Sequence, residues 1–302
     1  MKATVRAPGT CGELVQGTIN GDNFHVTCPI NCYSYVTVEL TTELKRSICN
    51  CNLSKTIKAV DKTLDYLGND SLKARIEVDS NLISEKGMAS STADITAAIL
   101  ATAVASGERI TSDEIANLAL SIEPTDGLFY EGIVLFDHVQ GKRYRYLGEV
   151  AGIDILMLDL GGKVDTLDFN NRKDLAELNR KNEPETNRAL KLAVEGIKEQ
   201  NSKLIGRGAT LSSQANQRIL AKPHFNKLLQ LTELQGVWGI NVAHSGTLLG
   251  ILHDSKRIET EALKTEVQNM KDDLSIYNVK LINGGLEIIE SSFNQERKYQ
   301  YG

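Results

Sequence analysis

Residues 85–94 of the chain are Glu85-Lys86-Gly87-Met88-Ala89-Ser90-Ser91-Thr92-Ala93-Asp94. This loop of small residues enters an alanine-rich segment, which we expect to be a helix that begins near Ser90 or Ser91 and ends by Gly107. The first turn of a helix presents unpaired backbone N–H groups and the positive end of the helix dipole, so it suits a phosphate group. Taken alone, the pattern is more often an ordinary serine cap after a glycine loop. The two commonest nucleotide-binding glycine motifs do not occur.

Composition and charge exclude several classes of function. The 302 residues carry a net charge of −5 with a pI of about 5.7, which argues against broad, salt-driven binding to nucleic acid. The most apolar stretch, residues 95–107, is shorter than the about 20 residues that cross a bilayer, so we predict a buried helix there. Residues 1–10 lack the apolar segment of a secretory signal. We therefore expect a cytoplasmic protein without a membrane or nucleic-acid partner.

The five cysteines are Cys11, Cys28, Cys32, Cys49 and Cys51. An odd number without a secretory signal argues against a disulfide framework, and their spacings match no common zinc motif. We expect them to pack as small hydrophobic residues.

The remaining pattern predicts strands and helices in two halves, with a boundary near residue 150. Proline and glycine predict a turn at Pro8-Gly9, and Pro184 is expected to divide a helix pair over residues 173–200. Other predicted elements are a helix capped by Ser112, a hairpin of residues 133–137 and 143–147, and a helix over residues 212–221.

Two further motifs hold polar residues among glycines. Residues 7–17, APGTCGELVQG, predict a compact polar turn that holds Glu13 and Gln16, and a plain hairpin connection is the alternative. Residues 241–250, NVAHSGTLLG, predict a strand that breaks at Ser245-Gly246 and resumes; an ordinary core turn fits the same pattern.

The order and spacing of these three motifs resemble those of the GHMP kinases, over nearly the whole chain. Within that superfamily, residues 8–17, 123–127 (EPTDG) and 243–247 (AHSGT) are most similar to the L-threonine kinase subfamily. The resemblance implies an α+β, two-lobed fold. Residues 1–150 would form the ATP-binding lobe with a left-handed βαβ unit, and residues 151–302 a ferredoxin-like lobe, with the active site in the cleft between them.

The resemblance also implies a reaction, the Mg²⁺-dependent transfer of the γ-phosphoryl group of ATP to a small alcohol. For this subfamily the acceptor is L-threonine, and decarboxylation of L-threonine O-3-phosphate supplies the aminopropanol linker of adenosylcobalamin, alongside propanediol utilisation. A sibling kinase for homoserine or another small alcohol, and a regulatory protein without catalysis, are the alternatives. The sequence leaves the oligomeric state open, with a homodimer as one candidate.

By the resemblance, the phosphate-binding residues are Glu85, Lys86, Gly87, Met88, Ala89, Ser90, Ser91 and Thr92. The family motif has a second glycine where this chain has Ala89, which a phosphate loop tolerates if φ is negative. Ser91 and Glu123 are the expected Mg²⁺ ligands.

Asp126 is the candidate catalytic base, three residues after Glu123. Galactokinase-like members have a longer separation and homoserine kinase works without this Asp, so a substrate or metal contact and a helix-terminal turn residue remain alternatives. His244 lies in the third motif and is a weaker candidate, because these kinases need no histidine base.

The expected acceptor-binding residues are Glu13, Gln16, Asp165 and Thr247. A carboxylate of Glu13, Asp126 or Asp165 would pair with the ammonium group of an amino acid, and Arg207, Lys86 or backbone N–H groups with its carboxylate. For each, a solvated turn residue is the alternative.

Overall fold

A computed structural model describes residues 1–162, 169, 172–271 and 274–292 of the chain. The helices within these residues are α1 (Ser54–Tyr66), α2 (Ser90–Ser106), α3 (Ser112–Leu120), α4 (Leu175–Lys198), α5 (Ser202–Asn216), α6 (Phe225–Leu229) and α7 (Thr260–Met270). The strands are β1 (Lys2–Ile19), β2 (Asp22–Thr41), β3 (Ile48–Cys49), β4 (Lys73–Ser80), β5 (Ile133–Phe136), β6 (Tyr144–Gly148), β7 (Asp154–Asp159), β8 (Val237–Val242), β9 (Leu248–His253), β10 (Ser275–Lys280) and β11 (Glu287–Ser291).

The first lobe is built on the long antiparallel pair of β1 and β2, which β4 extends. β3, α1 and β4 form the βαβ unit, in which β3 and β4 are parallel. Helix α2 is apolar on nearly every side and lies buried against β1 and β2, as expected of a helix without a polar face. Its predicted bounds are confirmed, and Gly107 ends it with φ of 77°. The cap of α3 is Thr111, which exchanges hydrogen bonds with Glu114, rather than Ser112.

The second lobe has the predicted ferredoxin-like arrangement. Its antiparallel sheet has the order β10-β7-β9-β8, and the helices that follow β7 and β9 complete a β-α-β-β-α-β sequence. Alternate residues of β7 face two different cores: Ile155 contacts the main core, whereas Leu156 packs in a second cluster with residues of α6 and α7. The predicted α+β, two-lobed fold is therefore confirmed.

The described strands of the two lobes belong to one 11-stranded sheet, in which β1 joins the lobes. Glu13 of β1 pairs with Val242 of β8, and β11 returns to pair with residues 3–6 of β1. A boundary at residue 150 stays a prediction. Among the described helices, none combines the length and the apolarity that crossing a membrane requires.

Besides the cap of α3, three predicted features differ from the structure. Residues 7–17 belong to β1 and form no turn. The pairing of β1 with β2 shifts in register after Pro8, Thr10 and Glu13, so this glycine-containing stretch forms β-bulges within the strand. Pro184 lies inside the single helix α4 and does not divide a helix pair. The helix predicted over residues 212–221 begins and ends earlier, as α5 (Ser202–Asn216). The predicted hairpin of β5 and β6 is confirmed.

Candidate functional site

The phosphate loop, residues 84–89, is held by the other two motifs. The backbone N–H of Thr10 donates to the carbonyl of Met88 (3.0 Å), and that of Thr247 donates to the carbonyl of Lys86 (2.9 Å). Since these partners come from β1 and from the turn before β9, both lobes fix the backbone in front of α2.

Two glycines allow the third motif to lie close to the phosphate loop. A Cβ on Gly246 would lie 2.2 Å from the carbonyl oxygen of Lys86, and one on Gly87 would lie 2.4 Å from the Cβ of Ala243. Gly87 also has φ of 96°. The phosphate loop and the third motif are therefore in direct backbone contact, which only glycine allows.

Ala89 adopts the left-handed conformation with φ of 53°, so the negative φ at which a phosphate loop tolerates alanine does not occur here. For a residue with a Cβ this conformation costs about 1 kcal/mol. The loop keeps the shape that the family's second glycine favours, although alanine occupies the position.

Ser91 and Glu123, the predicted Mg²⁺ ligands, are in contact at the start of α2. The Ser91 hydroxyl donates to one Glu123 carboxylate oxygen, and the Lys55 ammonium contacts the other. A hydroxyl and a carboxylate side by side are oxygen ligands of the kind that Mg²⁺ prefers, so this pair fits the ion. Lys55 follows the start of α1 and carries no local sequence signal for this role.

Lys86 and Thr247 both contact Asp159, at the end of β7. The Lys86 ammonium lies 2.8 Å from one carboxylate oxygen, and the Thr247 hydroxyl donates to the other at 2.8 Å. Burial alone would raise the pKa of Asp159, but these hydrogen bonds hold it below its usual value. Thr247 is therefore engaged within the second lobe and is not among the described residues that line the cavities below.

Lys222 is a buried lysine beneath the third motif, and sequence reasoning missed it. Its ammonium donates to the carbonyl of Gly246. Burial lowers the pKa of Lys222 to about 8, although the Glu13 carboxylate opposes this effect. This contact supports the turn that touches the phosphate loop.

Two cavities adjoin at this site. The loop cavity, about 400 Å³, is lined by the phosphate loop, the start of α1 and several acidic residues, among them Glu13, Glu123 and Asp126. The interlobe cavity, about 320 Å³, lies between β1 and β2 on one side and α4 and α5 on the other. Pro124 and His244 line both cavities, so the contents of the two spaces can touch there.

The described lining of the interlobe cavity combines apolar side chains with uncharged polar ones. Its described lining contains amide, hydroxyl and imidazole groups but no Asp, Glu, Lys or Arg. Gln16, a predicted acceptor residue, is one of them, and it donates to the carbonyl of Val242. His138 Nδ1 and Asn216 Nδ2 are buried in this lining without a hydrogen-bond partner among the described residues. Such atoms are costly to bury unless a ligand pairs with them.

Three histidines far apart in the sequence meet beside the cavity. The rings of His25 and His138 are stacked 3.6 Å apart, and His244 lies 4.2 Å from His25. Burial and the neighbouring His244 hold the pKa of His25 well below its usual value, and burial does the same to His138. Although their nitrogens lie within 4.8 Å of one another, the stacked planes of His25 and His138, 9° apart, do not direct both lone pairs at one ion.

Glu13 and Asp126 each hold one histidine of this cluster. One Glu13 oxygen lies 3.0 Å from His244 Nδ1 and the other accepts the His244 backbone N–H at 2.8 Å. One Asp126 oxygen lies 2.9 Å from His25 Nδ1. Asp165, the fourth predicted acceptor residue, lies outside the described residues.

Comparison with known proteins gives consistent results. A family model described as the GHMP kinases N-terminal domain matches residues 53–129. The L-threonine kinase of Salmonella typhimurium is 34% identical over 95% of this chain and 95% of its own length. That of Citrobacter freundii is 33% identical over 95% and 99%. A homoserine kinase of Cytophaga hutchinsonii superposes with a TM-score of 0.72, at 17% identity, over 95% of this chain and 97% of its own, which is a likeness of fold alone.

Proposed function

Since this chain belongs to the GHMP kinase family, we propose that it transfers the γ-phosphoryl group of ATP to the hydroxyl of L-threonine. Members of that family are ATP-dependent phosphotransferases, and this chain is one of them. The product would be L-threonine O-3-phosphate. Its decarboxylation would supply the aminopropanol linker of adenosylcobalamin, alongside propanediol utilisation.

The shared edge of the two cavities is the observation that carries the proposal. ATP would bind in the loop cavity with its phosphates at the start of α2, where Gly87, Ser90 and Thr92 line the cavity. The acceptor would bind in the interlobe cavity, which meets the phosphate loop at Pro124 and His244. Phosphoryl transfer depends mainly on such positioning and on charge neutralisation.

An amino-acid acceptor fits the uncharged lining of the interlobe cavity. A zwitterion has no net charge, and the amide, hydroxyl and imidazole groups of the lining can hydrogen-bond to its ammonium and carboxylate groups. The unpartnered amide nitrogen Asn216 Nδ2 is a donor suited to its carboxylate, and His138 Nδ1 is suited to the carboxylate in the tautomer that carries the proton on Nδ1. Among the predicted acceptor residues, Gln16 lines this cavity, whereas both oxygens of Glu13 are engaged by His244.

We assign the Mg²⁺ ion to Ser91 and Glu123. When bound, it would neutralise charge on the phosphates of ATP. The Lys55 ammonium beside Glu123 adds a second positive group on the same side of the loop cavity. Asp126 lines this cavity as well, and its assignment as the base stays a prediction.

We place the enzyme in the cytoplasm, where ATP is available and where thiols such as its five free cysteines stay reduced. A homodimer remains a proposal that sedimentation of the purified protein can test.

An acceptor panel tests the substrate. Purified protein with labelled ATP and Mg²⁺ is given L-threonine, L-homoserine, L-serine and a polyol, and kcat/KM is measured for each. We expect L-threonine to exceed L-homoserine by at least about tenfold, the scale of one misplaced methylene. A preference for homoserine would contradict the proposed acceptor, and ATP binding without turnover of any alcohol would support the regulatory alternative.

A further inference from the structure

We infer that His244 is the catalytic base that accepts the proton of the acceptor hydroxyl, and that Glu13 is the positioning residue that orients it. The inference deepens the proposed kinase reaction and rests on it. Neither role follows from the sequence, since residues 13 and 244 lie in different lobes.

The position of His244 is the first argument. It lines both the loop cavity and the interlobe cavity, and the only other residue that the structure describes in both linings is Pro124, which has no proton-accepting side chain. A hydroxyl held in the interlobe cavity and facing the γ-phosphate must pass this shared edge. His244 therefore lies at the edge that the reacting oxygen has to approach.

The tautomer of His244 is the second argument. The Glu13 carboxylate accepts the backbone N–H of His244 with one oxygen and lies 3.0 Å from Nδ1 with the other. Burial raises the pKa of Glu13, and its contacts with His244 oppose that effect. In its ionised form the carboxylate can only accept hydrogen bonds, so Nδ1 of His244 carries the proton and Nε2 keeps its lone pair. Nε2 is buried and has no hydrogen-bond partner in the described part of the chain. A carboxylate on one imidazole nitrogen and a free lone pair on the other are the arrangement of an oriented general base.

The other acid–base candidates are less well placed. Asp126 lines only the loop cavity, and one of its oxygens is paired with His25 Nδ1. His25 and His138 line only the interlobe cavity and stack on each other. His244 alone of these groups combines contact with both cavities and an unpartnered nitrogen.

In the step, a lone pair of the acceptor oxygen forms the bond to the γ-phosphorus while the bond from phosphorus to the β,γ-bridging oxygen breaks. The electron pair of that bond leaves with ADP. The hydroxyl proton passes to His244 Nε2, and water takes it after the product departs. Glu13 stabilises the imidazolium form in the meantime.

The charges that face His244 set its pH dependence. Burial alone would lower the pKa of His244, but Glu13 and Asp126 raise it above the usual value, against the opposing charge of Lys222. His25 and His138 stay neutral, because their pKa values are well below the usual range. Since Nε2 cannot accept a proton once it is protonated, kcat/KM should fall as the pH drops through the raised pKa of His244.

The experiment measures kcat, kcat/KM against pH and the Kd of ATP, with whichever acceptor of the panel gives the highest kcat/KM. His244→Asn keeps an N–H for Glu13 but removes Nε2. We expect kcat to fall by about 100-fold or more while the Kd of ATP stays within about twofold. Glu13→Gln removes the negative charge beside His244 and so lowers the pKa of His244. The acid limb, which is the fall of kcat/KM at low pH, should then have its midpoint at lower pH. A purely structural role of Glu13 would not produce this shift.

The controls separate this role from folding and from the rival base. His253→Gln changes a buried histidine of β9 that hydrogen-bonds to Thr260, and it should leave kcat and the acid limb unchanged. Asp126→Asn should keep at least about ten times the kcat of His244→Asn. A kcat of His244→Asn within about threefold of wild type, an acid limb that does not move in Glu13→Gln, or an equal loss in Asp126→Asn would each overturn the inference. A panel in which L-threonine is not the preferred acceptor would contradict the proposed substrate and leave this test intact.

Discussion

Gly246→Ala should push the third motif away from the phosphate loop. The new Cβ would lie 2.2 Å from the carbonyl oxygen of Lys86 and 2.6 Å from the Cα of Gly87, and both neighbours are backbone atoms that cannot rotate away. Ordinary contact begins near 3.4 Å, so the two segments must separate by about 1.2 Å.

The cost follows from the contacts that this separation disturbs. Overpacking of this kind costs about 1–3 kcal/mol. The hydrogen bonds from the N–H groups of Thr247 (2.9 Å) and Leu248 (3.2 Å) to the Lys86 carbonyl would weaken, at about 1 kcal/mol each. We expect the free energy of unfolding to fall by about 3 kcal/mol. Because an error of about 1 Å in positioning costs about 100-fold in rate, kcat should fall by that factor.

Urea unfolding and a coupled ADP-release assay measure the two effects. Gly152→Ala is the matched control, since Gly152 has nothing within 4 Å of a Cβ but has φ of 75°. It should lose only about 1 kcal/mol of stability and keep its kcat. A Gly246→Ala protein as stable and active as wild type would show that the loop contact is not required.

Three other substitutions test the site around α2. Ala89→Gly should raise the free energy of unfolding by about 1 kcal/mol, because glycine adopts positive φ without strain, and a lower urea midpoint would contradict this. Asp94 is buried, and its pKa of about 6 lies above the unfolded value, so its ionisation destabilises the fold as the pH rises from about 4 to 6. Asp94→Asn, which keeps a partner for the Ser34 hydroxyl, should therefore stabilise the protein by about 3 kcal/mol at pH 7 and by little at pH 4, as urea titrations at both pH values would show. Ser91→Ala should raise the Mg²⁺ concentration for half-maximal rate severalfold at fixed ATP, and an unchanged Mg²⁺ titration would remove Ser91 from the ion site.

The local features of the site were predictable from the sequence. The bounds of α2 follow from its alanine-rich composition and from Gly107, and the neighbourhood of Ser91 and Glu123 follows from the family motifs. The conformation of Ala89 was not predictable, because the loop's contacts with both lobes hold it in a conformation that alanine alone disfavours.

The histidine cluster could not be predicted because tertiary pairing alone assembles it. His25 comes from β2, His138 follows β5, and His244 follows β8, so no spacing in the chain relates them. Glu13 was predicted to bind the acceptor, yet its contact with His244 depends on the pairing of β1 with β8. The one local hint was the place of His244 within a motif.

The prediction that Pro184 divides a helix pair was wrong because tertiary packing again outweighs the local signal. A proline inside a helix costs about 3 kcal/mol, which favours a break in the sequence-based prediction. In the structure, α4 buries Ala189, Ala193 and Ile197, and Asn182 donates to the carbonyl of Ala215 on α5. This packing on both sides of the proline outweighs the local cost.

The pairing of β11 with β1 has a consequence for synthesis on the ribosome. The Ser292 N–H donates to the carbonyl of Lys2, across 290 positions of the chain. Residues 3–6 of β1 therefore lack their β11 partner on one edge until most of the chain has been translated. An exposed strand edge of this kind invites association with other nascent chains. Arg6 is a charged residue on that edge, and its charge opposes such association until Glu287 has been synthesised and pairs with it.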